Sequence, residues 1–325
     1  MAYLVTGGTG FIGGYVARDL LNAGKEVVCL QRSATTPLFL LALGEENVKK
    51  VKIVQIDISD TLRVFNTIRD YKIDYIIHTA SQVLSNGETE AQPYYALQVN
   101  CGGIVNLLEA AKVLGVKKIT WTSSAQALGS VSEVHKELIK DEAIYQPATM
   151  YGATKAMSEF IAKHYYDKFG VDSAGFRIGI ILNIEQPIGR RRGFIDLMRN
   201  AALNIPMTFT VPDADRVRAL GYVENVADLL IQAVESPTTK RIFNAIEFQL
   251  SPRELVETIN KINPKAKITL KAGVPMQEAI WGGTPDAFQD TSALRQELKW
   301  PKYNLKEALK KMFNYFRQQE NLPLL

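Results

Sequence analysis

The first half of the chain alternates between short apolar stretches and longer stretches in which apolar residues recur three and four positions apart. The short stretches predict strands, which lie at Tyr3–Thr6, Val27–Leu30, Ile53–Ile56, Tyr75–His78, Ile119–Ser123 and Ala174–Ile181. The longer stretches predict helices, which lie at Phe11–Ala23, Asp60–Arg69, Pro93–Leu114 and Thr149–Phe169. Strands that are apolar on both faces and alternate with helices are typical of a parallel sheet covered on both sides. The pattern therefore predicts an α/β fold with a doubly wound parallel sheet.

The second half of the chain is less regular. Helical spacing returns in separate stretches between loops that carry Pro and Gly, at Phe194–Leu203, Val223–Ala233, Pro252–Ile262 and Leu305–Arg317. No low-complexity linker separates the two halves. We therefore expect the C-terminal part to form a smaller mixed α/β lobe that packs on the edge of the sheet.

Composition excludes several classes of protein. Of the 325 residues, 46% are hydrophobic and 22% are charged, which is typical of a globular protein and not of a disordered or fibrous one. The net charge of +4 is small and dispersed, so we expect no nucleic-acid partner. Cys29 and Cys101 are too few for a secreted disulfide framework, which favours a reducing compartment. Without a signal peptide or a bilayer-length apolar run, the prediction is a cytoplasmic protein with no membrane partner.

A glycine-rich loop joins the first strand to the first helix. In the stretch from Thr6 to Gly13, Gly7 permits the tight turn, Gly10 lets the backbone approach a pyrophosphate, and Gly13 lets the helix pack closely. Phosphates are then held by the N–H groups at the helix N-terminus. A flexible turn is the alternative, but the position at the start of a βαβ unit favours a dinucleotide. The predicted contacts are Gly7, Thr9, Gly10, Phe11, Ile12 and Gly13.

This loop identifies the predicted fold as a Rossmann-type doubly wound sheet. We assign residues 1–177 plus about 212–246 to the dinucleotide-binding domain. Residues of about 178–211 plus 247–325 are assigned to the substrate-binding lobe.

The end of the second strand bears on which dinucleotide binds. NAD-binding proteins usually carry Asp or Glu there, but this strand ends in Gln31, Arg32 and Ser33. A guanidinium without a neighbouring carboxylate suits the 2′-phosphate of NADP. The alternative is that Arg32 is solvated and that NAD is used. Asp57 and Ile58, after the third strand, are interpreted as adenine contacts, with a simple loop carboxylate as the alternative.

Tyr151 and Lys155 have the spacing of an acid/base pair. Residues four apart share a helix face, so the phenol and the ammonium point to one place. Lowering a tyrosine pKa by about three units requires roughly 4 kcal/mol, and one positive charge at about 4 Å in a partly wet site supplies that much. Ser123 and Ser124 end the fifth strand, at the edge where open α/β sheets bind ligands, and either hydroxyl could hold a substrate oxygen.

Together these motifs resemble the extended short-chain dehydrogenase/reductase family, which is NAD-dependent epimerase/dehydratase-like, over nearly the whole chain. The resemblance implies that Tyr151 is the acid/base, that Ser124 orients the carbonyl, and that Lys155 also holds the nicotinamide ribose. Asn100 matches an asparagine that steadies the active site. It also implies cofactor contacts at Thr79, Ala80, Ser81, Tyr151, Lys155 and Ile178. The resemblance implies substrate contacts at Ser124 and Arg218, and we also expect substrate contacts at Gln126, Ile180 and Trp281.

Two departures from the family pattern narrow the substrate. Ala125 and Gln126 stand where sugar-nucleotide dehydratases carry an Asp-Glu pair, which disfavours a 4,6-dehydratase. Gly179-Ile180-Ile181 stands where epimerases carry an Asn after the arginine that Arg177 resembles. An apolar wall there favours a more hydrophobic substrate than a sugar nucleotide.

Weaker signals leave alternatives open. Arg190-Arg191-Arg192 could clamp an anionic substrate or form a solvated loop. Trp281-Gly282-Gly283 could be a lid or a turn with one packed Trp. The histidines lack metal-ligand spacing, so we predict no metal. The apolar faces of Pro93–Leu114 and Thr149–Phe169 could form a homodimer interface, although packing on the sheet explains part of the same pattern.

The expected function is that of an NADP-dependent oxidoreductase, a carbonyl reductase or alcohol dehydrogenase. It would transfer hydride between nicotinamide and a small-molecule ketone, aldehyde or secondary alcohol. A nucleotide-sugar epimerase with tightly bound NAD is the first alternative. A dinucleotide sensor without turnover is the second.

Overall fold

The computed structural model describes residues 1–32, 37–83, 91–129, 138–184, 193–275, 278–281 and 288–325. Its strands, numbered in chain order, are β1 Ala2–Thr6, β2 Glu26–Gln31, β3 Lys52–Gln55, β4 Tyr75–His78, β5 Lys118–Ser124, β6 Ser173–Ile178, β7 Ile180–Leu182, β8 Met207–Thr210, β9 Arg218–Tyr222, β10 Ile242–Asn244, β11 Phe248–Leu250 and β12 Ile268–Lys271. The α-helices are Phe11–Asn22, Pro37–Leu43, Glu45–Val48, Thr61–Asp70, Pro93–Leu97, Gly103–Leu114, Met150–Phe169, Gly193–Leu203, Val223–Glu235, Pro252–Ile262, Ser292–Glu297 and Leu305–Gln319.

Seven strands form one parallel sheet in the order β10-β6-β5-β4-β1-β2-β3. The chain starts at β1, runs outward to β3, and returns to pair β4 on the other side of β1. The direction of winding therefore reverses between β1 and β4. Open α/β sheets bind their ligands at this crevice, beyond the carboxyl ends of the strands. The predicted Rossmann-type α/β fold is confirmed.

Alternate residues of the central strands belong to two separate apolar cores. In β1, Tyr3 and Val5 pack into one core while Leu4 packs into the other, on the opposite face of the sheet. Side chains alternate across a strand, so a strand covered on both faces is apolar at most consecutive positions. This explains why its pattern is a continuous apolar run.

The sequence predicted six of the seven strands of this sheet. It missed β10, which has three residues and pairs with β6. The predicted strand at Ala174–Ile181 is in fact two strands in different sheets, because the chain turns out of the parallel sheet at Gly179. A Cβ on Gly179 would lie 2.7 Å from the Ala219 carbonyl oxygen, so only glycine lets the chain pass β9 so closely.

The C-terminal part contains two small sheets. One has the order β11-β9-β7, with β9 antiparallel to β11 and parallel to β7. The other pairs β12 with β8 in parallel. The predicted smaller mixed α/β lobe is thereby confirmed, whereas the predicted domain boundaries stay a prediction.

The predicted long helix at Pro93–Leu114 contains a π turn. An α-helical segment ends at Leu97, Gln98–Gly102 form the π turn, and the α-helix resumes at Gly103. A π turn adds a residue to the helical turn and is frequent at functional sites. Asn100 lies within it. No helix in the described part of the chain is long and apolar enough to cross a membrane.

Candidate active site

The glycine loop lies at the crevice between β1 and β4. Gly7 has a φ of +64°, and a Cβ there would lie 2.8 Å from the Ala80 nitrogen in the segment after β4. A Cβ on Gly13 would lie 2.2 Å from the Gly7 carbonyl oxygen, so the helix Phe11–Asn22 approaches the loop at backbone distance. Gly10 is the N-cap of that helix. The loop, the segment after β4 and the helix therefore approach each other at backbone distance.

Two adjoining cavities run along the crevice. They measure about 210 and 350 Å³ and share the walls formed by Gly7, Gly10 and Ala80–Gln82. The first cavity is also lined by the predicted cofactor residues Thr9, Gln31, Arg32, Asp57 and Ile58. The second cavity is also lined by the predicted residues Phe11, Ile12, Thr79, Ser124, Tyr151 and Ile178. Residues from six separate strand ends thus meet along one crevice.

A chain of polar side chains closes one side of the first cavity. Arg32 Nη1 donates to the Tyr95 hydroxyl at 2.6 Å, and that hydroxyl donates to Asp57 Oδ2 at 2.8 Å. Gln31 Oε1 is buried and has no hydrogen-bond partner among the described residues. Ser33, also predicted as a contact, lies outside those residues. Tyr95 was missed by the sequence reasoning, because nothing local in the sequence shows that this helix passes over β2.

Tyr151 and Lys155 lie together, as their spacing predicts. The helix Met150–Phe169, named here the active-site helix, is capped by Thr149, whose Oγ1 accepts from the Gly152 N–H at 3.0 Å. Lys155 Nζ lies 5.6 Å from the centroid of the Tyr151 ring and donates to the Thr122 carbonyl oxygen at 2.9 Å. Burial lowers the pKa of Lys155 to about 8. The buried ammonium thus lies behind the phenol, which lines the second cavity.

The structure distinguishes the two candidate serines. Ser123 Oγ donates to the carboxylate of Glu159, which is buried on the active-site helix. Ser124 Oγ accepts from the Gln126 N–H at 3.2 Å and can still donate. Both residues line the second cavity, but among the described residues the Ser123 hydroxyl proton has an acceptor and the Ser124 hydroxyl proton has none.

Glu159 also binds Arg177 in a fully buried ion pair. Arg177 Nη2 donates to Glu159 Oε2 at 2.8 Å, and neither side chain has any exposed surface. Nε also donates to the Glu159 carboxylate, Nη1 donates to the Asp141 carbonyl oxygen and to Asn244 Oδ1, and Nη2 also donates to the Tyr145 hydroxyl. This network joins the active-site helix to β6 and β10.

Asn100 links two walls of the site without lining either cavity. Its Oδ1 accepts from the Gln82 N–H at 2.8 Å and from Ser81 Oγ at 3.0 Å. Its Nδ2 donates to the Gln82 carbonyl oxygen and to Thr154 Oγ1, both at 3.0 Å. The Asn100 side chain thereby holds the segment after β4 against the active-site helix.

Four predicted substrate contacts do not line the described parts of either cavity. Gln126 Oε1 accepts from Thr149 Oγ1 at 3.1 Å. Ile180 pairs with Leu220, and its neighbour Ile181 lines the second cavity instead. Arg218 is buried opposite Leu250. Trp281 is buried against Phe194 and Phe209, as a packed turn residue would be. Arg190–Arg192, Gly282 and Gly283 lie outside the described residues.

The residues of the crevice fit a dinucleotide. The glycine loop packs its backbone closely at a helix N-terminus and lines both cavities with Gly7 and Gly10, which suits a pyrophosphate. The unpartnered Gln31 Oε1 is an acceptor for a ribose hydroxyl. Within the described ranges, no group of three or more His, Cys, Asp or Glu side chains could hold a metal ion.

Comparison with known families agrees with this geometry. The NAD dependent epimerase/dehydratase family matches residues 3–245. The chain belongs to this family. The resemblance to extended short-chain dehydrogenases/reductases is therefore confirmed, and the protein is an NAD(P)-dependent oxidoreductase of that type.

Individual relatives are distant in sequence but close in fold. An uncharacterized epimerase/dehydratase of Staphylococcus aureus is 27% identical over 273 residues, which cover 82% of this chain and 83% of the relative. The structure of an L-threonine dehydrogenase from Clostridium difficile superposes with a TM-score of 0.82 at 26% identity, covering 98% of both chains. A UDP-glucose 4-epimerase from Thermus thermophilus, solved with NAD, has a TM-score of 0.77 at 26% identity, covering 98% of this chain and 99% of that one.

His78 makes the stability of this site depend on pH. The ring is fully buried at the end of β4, and its Nδ1 lies 2.6 Å from Thr6 Oγ1. Burial, together with the charge of Lys155, lowers the pKa of His78 to about 3. Below pH 6.5 the unfolded chain therefore binds a proton that the folded chain does not. The free energy of unfolding consequently decreases as the pH is lowered.

We expect His78→Asn to remove this contribution, because an amide can still bind Thr6 but does not titrate. Between about pH 6.5 and 5, wild type should lose up to about 2 kcal/mol more stability than the variant. Urea unfolding of both proteins at the two pH values measures this difference. An equal loss in the two proteins would show that His78 is not held neutral.

Proposed function

We propose that this protein is an NADP-dependent carbonyl reductase or alcohol dehydrogenase that acts on a small-molecule ketone, aldehyde or secondary alcohol. The observation that carries the proposal is the meeting of Ser124 and Tyr151 in the wall of one cavity, with the buried Lys155 behind the phenol. Nicotinamide, when bound, supplies or accepts the hydride.

The chain's own residues would handle the proton and the orientation. Ser124 Oγ, whose proton has no acceptor among the described residues, would donate to the substrate oxygen and hold it beside Tyr151. The Tyr151 phenol would give a proton to that oxygen in reduction and remove it in oxidation. Lys155 stabilises the phenolate, because its ammonium is buried and Coulomb attraction is stronger there than in water.

Two features favour a dehydrogenase over an epimerase. One solved neighbour at 26% identity is an L-threonine dehydrogenase, and L-threonine is a secondary alcohol. Ile181 adds an apolar side chain to the wall of the second cavity, in the stretch where epimerases carry a polar Asn. A sensor without turnover would not need the arrangement of Ser124, Tyr151 and Lys155.

We propose that the protein works in the cytoplasm. Both cysteines are free thiols, Cys29 within the core and Cys101 at the π turn. This supports a reducing compartment.

Tyr151→Phe should lose nearly all turnover while it still binds cofactor, because only the proton donor is removed. We expect kcat for reduction of carbonyl compounds to fall by about 100- to 10,000-fold. The affinity for NADPH should stay within about twofold. Steady-state kinetics and fluorescence titration measure the two effects, and retained turnover would contradict the acid/base role.

We expect NADPH to bind more tightly than NADH by about tenfold or more, which is about 1.4 kcal/mol. Arg32, beside the first cavity, would pair with the 2′-phosphate. Parallel fluorescence titrations of protein stripped of nucleotide measure the preference, and Arg32→Ala should abolish it. Arg69→Ala is a matched control, because it removes the same charge from a distant exposed site. Preference for NADH, or a nucleotide that resists stripping, would instead favour the epimerase.

We further propose that the protein is a homodimer that pairs its helices Gly103–Leu114 and Met150–Phe169. These helices lie side by side and expose large apolar side chains, among them Val113 at 62% and Phe160 at 67%. An apolar patch of this kind on a helix pair is typical of an interface.

Phe160→Glu should give a monomer by light scattering. Leu62→Glu, at a 70% exposed position elsewhere, should not. A monomeric wild type would overturn the proposal.

A further inference from the structure

A buried carboxyl beside the second cavity has one oxygen without a partner. Glu247, between β10 and β11, is 6% exposed. Its Oε2 accepts from the Tyr222 N–H at 2.9 Å and from Asn225 Nδ2 at 2.8 Å. Its Oε1 has no hydrogen-bond partner in the part of the chain that the structure describes. Few buried polar atoms in native proteins are left so, and each needs an explanation.

The bound oxygen has a structural role. The helix Val223–Glu235 begins directly after Tyr222, so Oε2 satisfies a backbone N–H at the helix N-terminus, where an anion is favoured. One oxygen is enough for that role. It does not explain why the second oxygen is buried without a partner.

The unpartnered oxygen lies directly behind the cavity wall. A Cβ on Gly221 would lie 3.0 Å from Glu247 Oε1 and 2.7 Å from Ile181 Cδ1, so the two side chains meet over this glycine. Ile181 is itself part of the wall of the second cavity. In addition, Ala125, which follows Ser124, packs in one apolar cluster with Ile246, which precedes Glu247. The Ile181 side chain therefore stands between Glu247 and the cavity that holds Ser124 and Tyr151.

The buried side chain of Gln289 also lacks hydrogen-bond partners among the described residues. Gln249 lies two residues beyond Glu247, and its side-chain amide holds the backbone of Gln289 through two hydrogen bonds of 2.8 and 3.0 Å. The side-chain amide of Gln289 is buried, and neither of its polar atoms has a partner within the described ranges.

We propose that Glu247 determines substrate specificity, because its Oε1 accepts a hydrogen bond from a hydroxyl or ammonium group that the substrate carries next to the reacting carbon. Rotation of the Ile181 side chain to another staggered rotamer opens the path. The proposal rests on the oxidoreductase function proposed above and names its substrate class as alcohols or ketones with an adjacent donor group.

The electrostatics of the site support this assignment. Burial raises the pKa of Glu247 to about 8, while the hydrogen bonds from Asn225 and Tyr222 and the charge of Arg295 act in the opposite direction. An ammonium group placed beside it favours the charged form. A substrate amine would therefore gain an ion pair in a place from which water is excluded.

The test measures binding without turnover. The Tyr151→Phe protein, loaded with its nicotinamide cofactor, is titrated calorimetrically with 2-butanol, 2,3-butanediol and 3-amino-2-butanol. We expect the two compounds with an adjacent donor to bind at least tenfold more tightly than 2-butanol. Adding Glu247→Gln should reduce that advantage at least tenfold, most for the amine, because the amide places a donor where Oε1 was.

Control variants separate recognition from folding. The glutamine oxygen can still accept from Tyr222 and Asn225, so the thermal midpoint of Glu247→Gln should stay within a few degrees of the parent. Asp228→Asn makes the same charge-to-amide change on the adjoining helix and should leave the preference intact. Ile181→Ala opens the path from the other side and should increase the preference for the amine, which keeps the proposal testable if Glu247→Gln misfolds.

Each outcome has a distinct meaning. Loss of preference for the amine alone assigns an ammonium group, and loss for both compounds assigns any hydrogen-bond donor. An unchanged preference, no preference in the parent, or an equal loss for all three compounds would overturn the proposal. If the unmodified protein turns over no alcohol or ketone, but the parent prefers the donor-bearing compounds and Glu247→Gln loses that preference, the oxidoreductase function fails and the role of Glu247 stands. If the protein turns over these compounds but Glu247→Gln keeps the preference, the oxidoreductase function stands and the role of Glu247 fails.

Discussion

The buried ion pair between Arg177 and Glu159 is the interaction on which the geometry of the site depends. Both groups are removed from water, which costs free energy that only close pairing and additional hydrogen bonds offset. Glu159 lies one helical turn beyond Lys155 on the active-site helix, and Arg177 lies near the end of β6. Their contact therefore determines how far along the sheet the helix lies, and with it where Tyr151 and Lys155 stand relative to Ser124. Glu159 also accepts the hydrogen bond that the Ser123 hydroxyl donates. Of the two serines, Ser124 is therefore the one that can donate to a ligand.

A second constraint is the close approach of backbones around the crevice. The glycine loop, the segment after β4 and the first helix approach each other so closely that a Cβ on Gly7 or Gly13 would overlap the neighbouring backbone. Asn100 continues this arrangement, because its side chain binds the segment after β4 and the active-site helix at once. Hydrogen bonds and close backbone contacts thus connect the cofactor side of the crevice to the catalytic side. Apolar cores pack on both faces of the sheet whose strand ends form this crevice.

Buried polar groups around the crevice differ in how completely they are satisfied. Arg177, Glu159 and Asn100 have several partners each, as expected for groups that hold structure in a medium of low dielectric constant. Gln31 Oε1 and Glu247 Oε1 have none among the described residues. They lie at opposite ends of the same crevice, beside the first cavity and behind the second.

The sequence by itself determined the parallel sheet, the glycine loop and the pairing of Tyr151 with Lys155, because these depend on local periodicity and spacing. Strands covered on both faces are apolar at most consecutive positions, and residues four apart on a helix must share a face. Only the tertiary structure decided between Ser123 and Ser124, placed Tyr95 over Arg32, and showed Ile181 rather than Ile180 in the cavity wall. It also showed that Gln126 and Trp281 lie outside the described cavity walls, because Gln126 binds Thr149 and Trp281 packs in an aromatic cluster. These outcomes depend on which distant segment lies against each side chain, and no local pattern in the sequence contains that information.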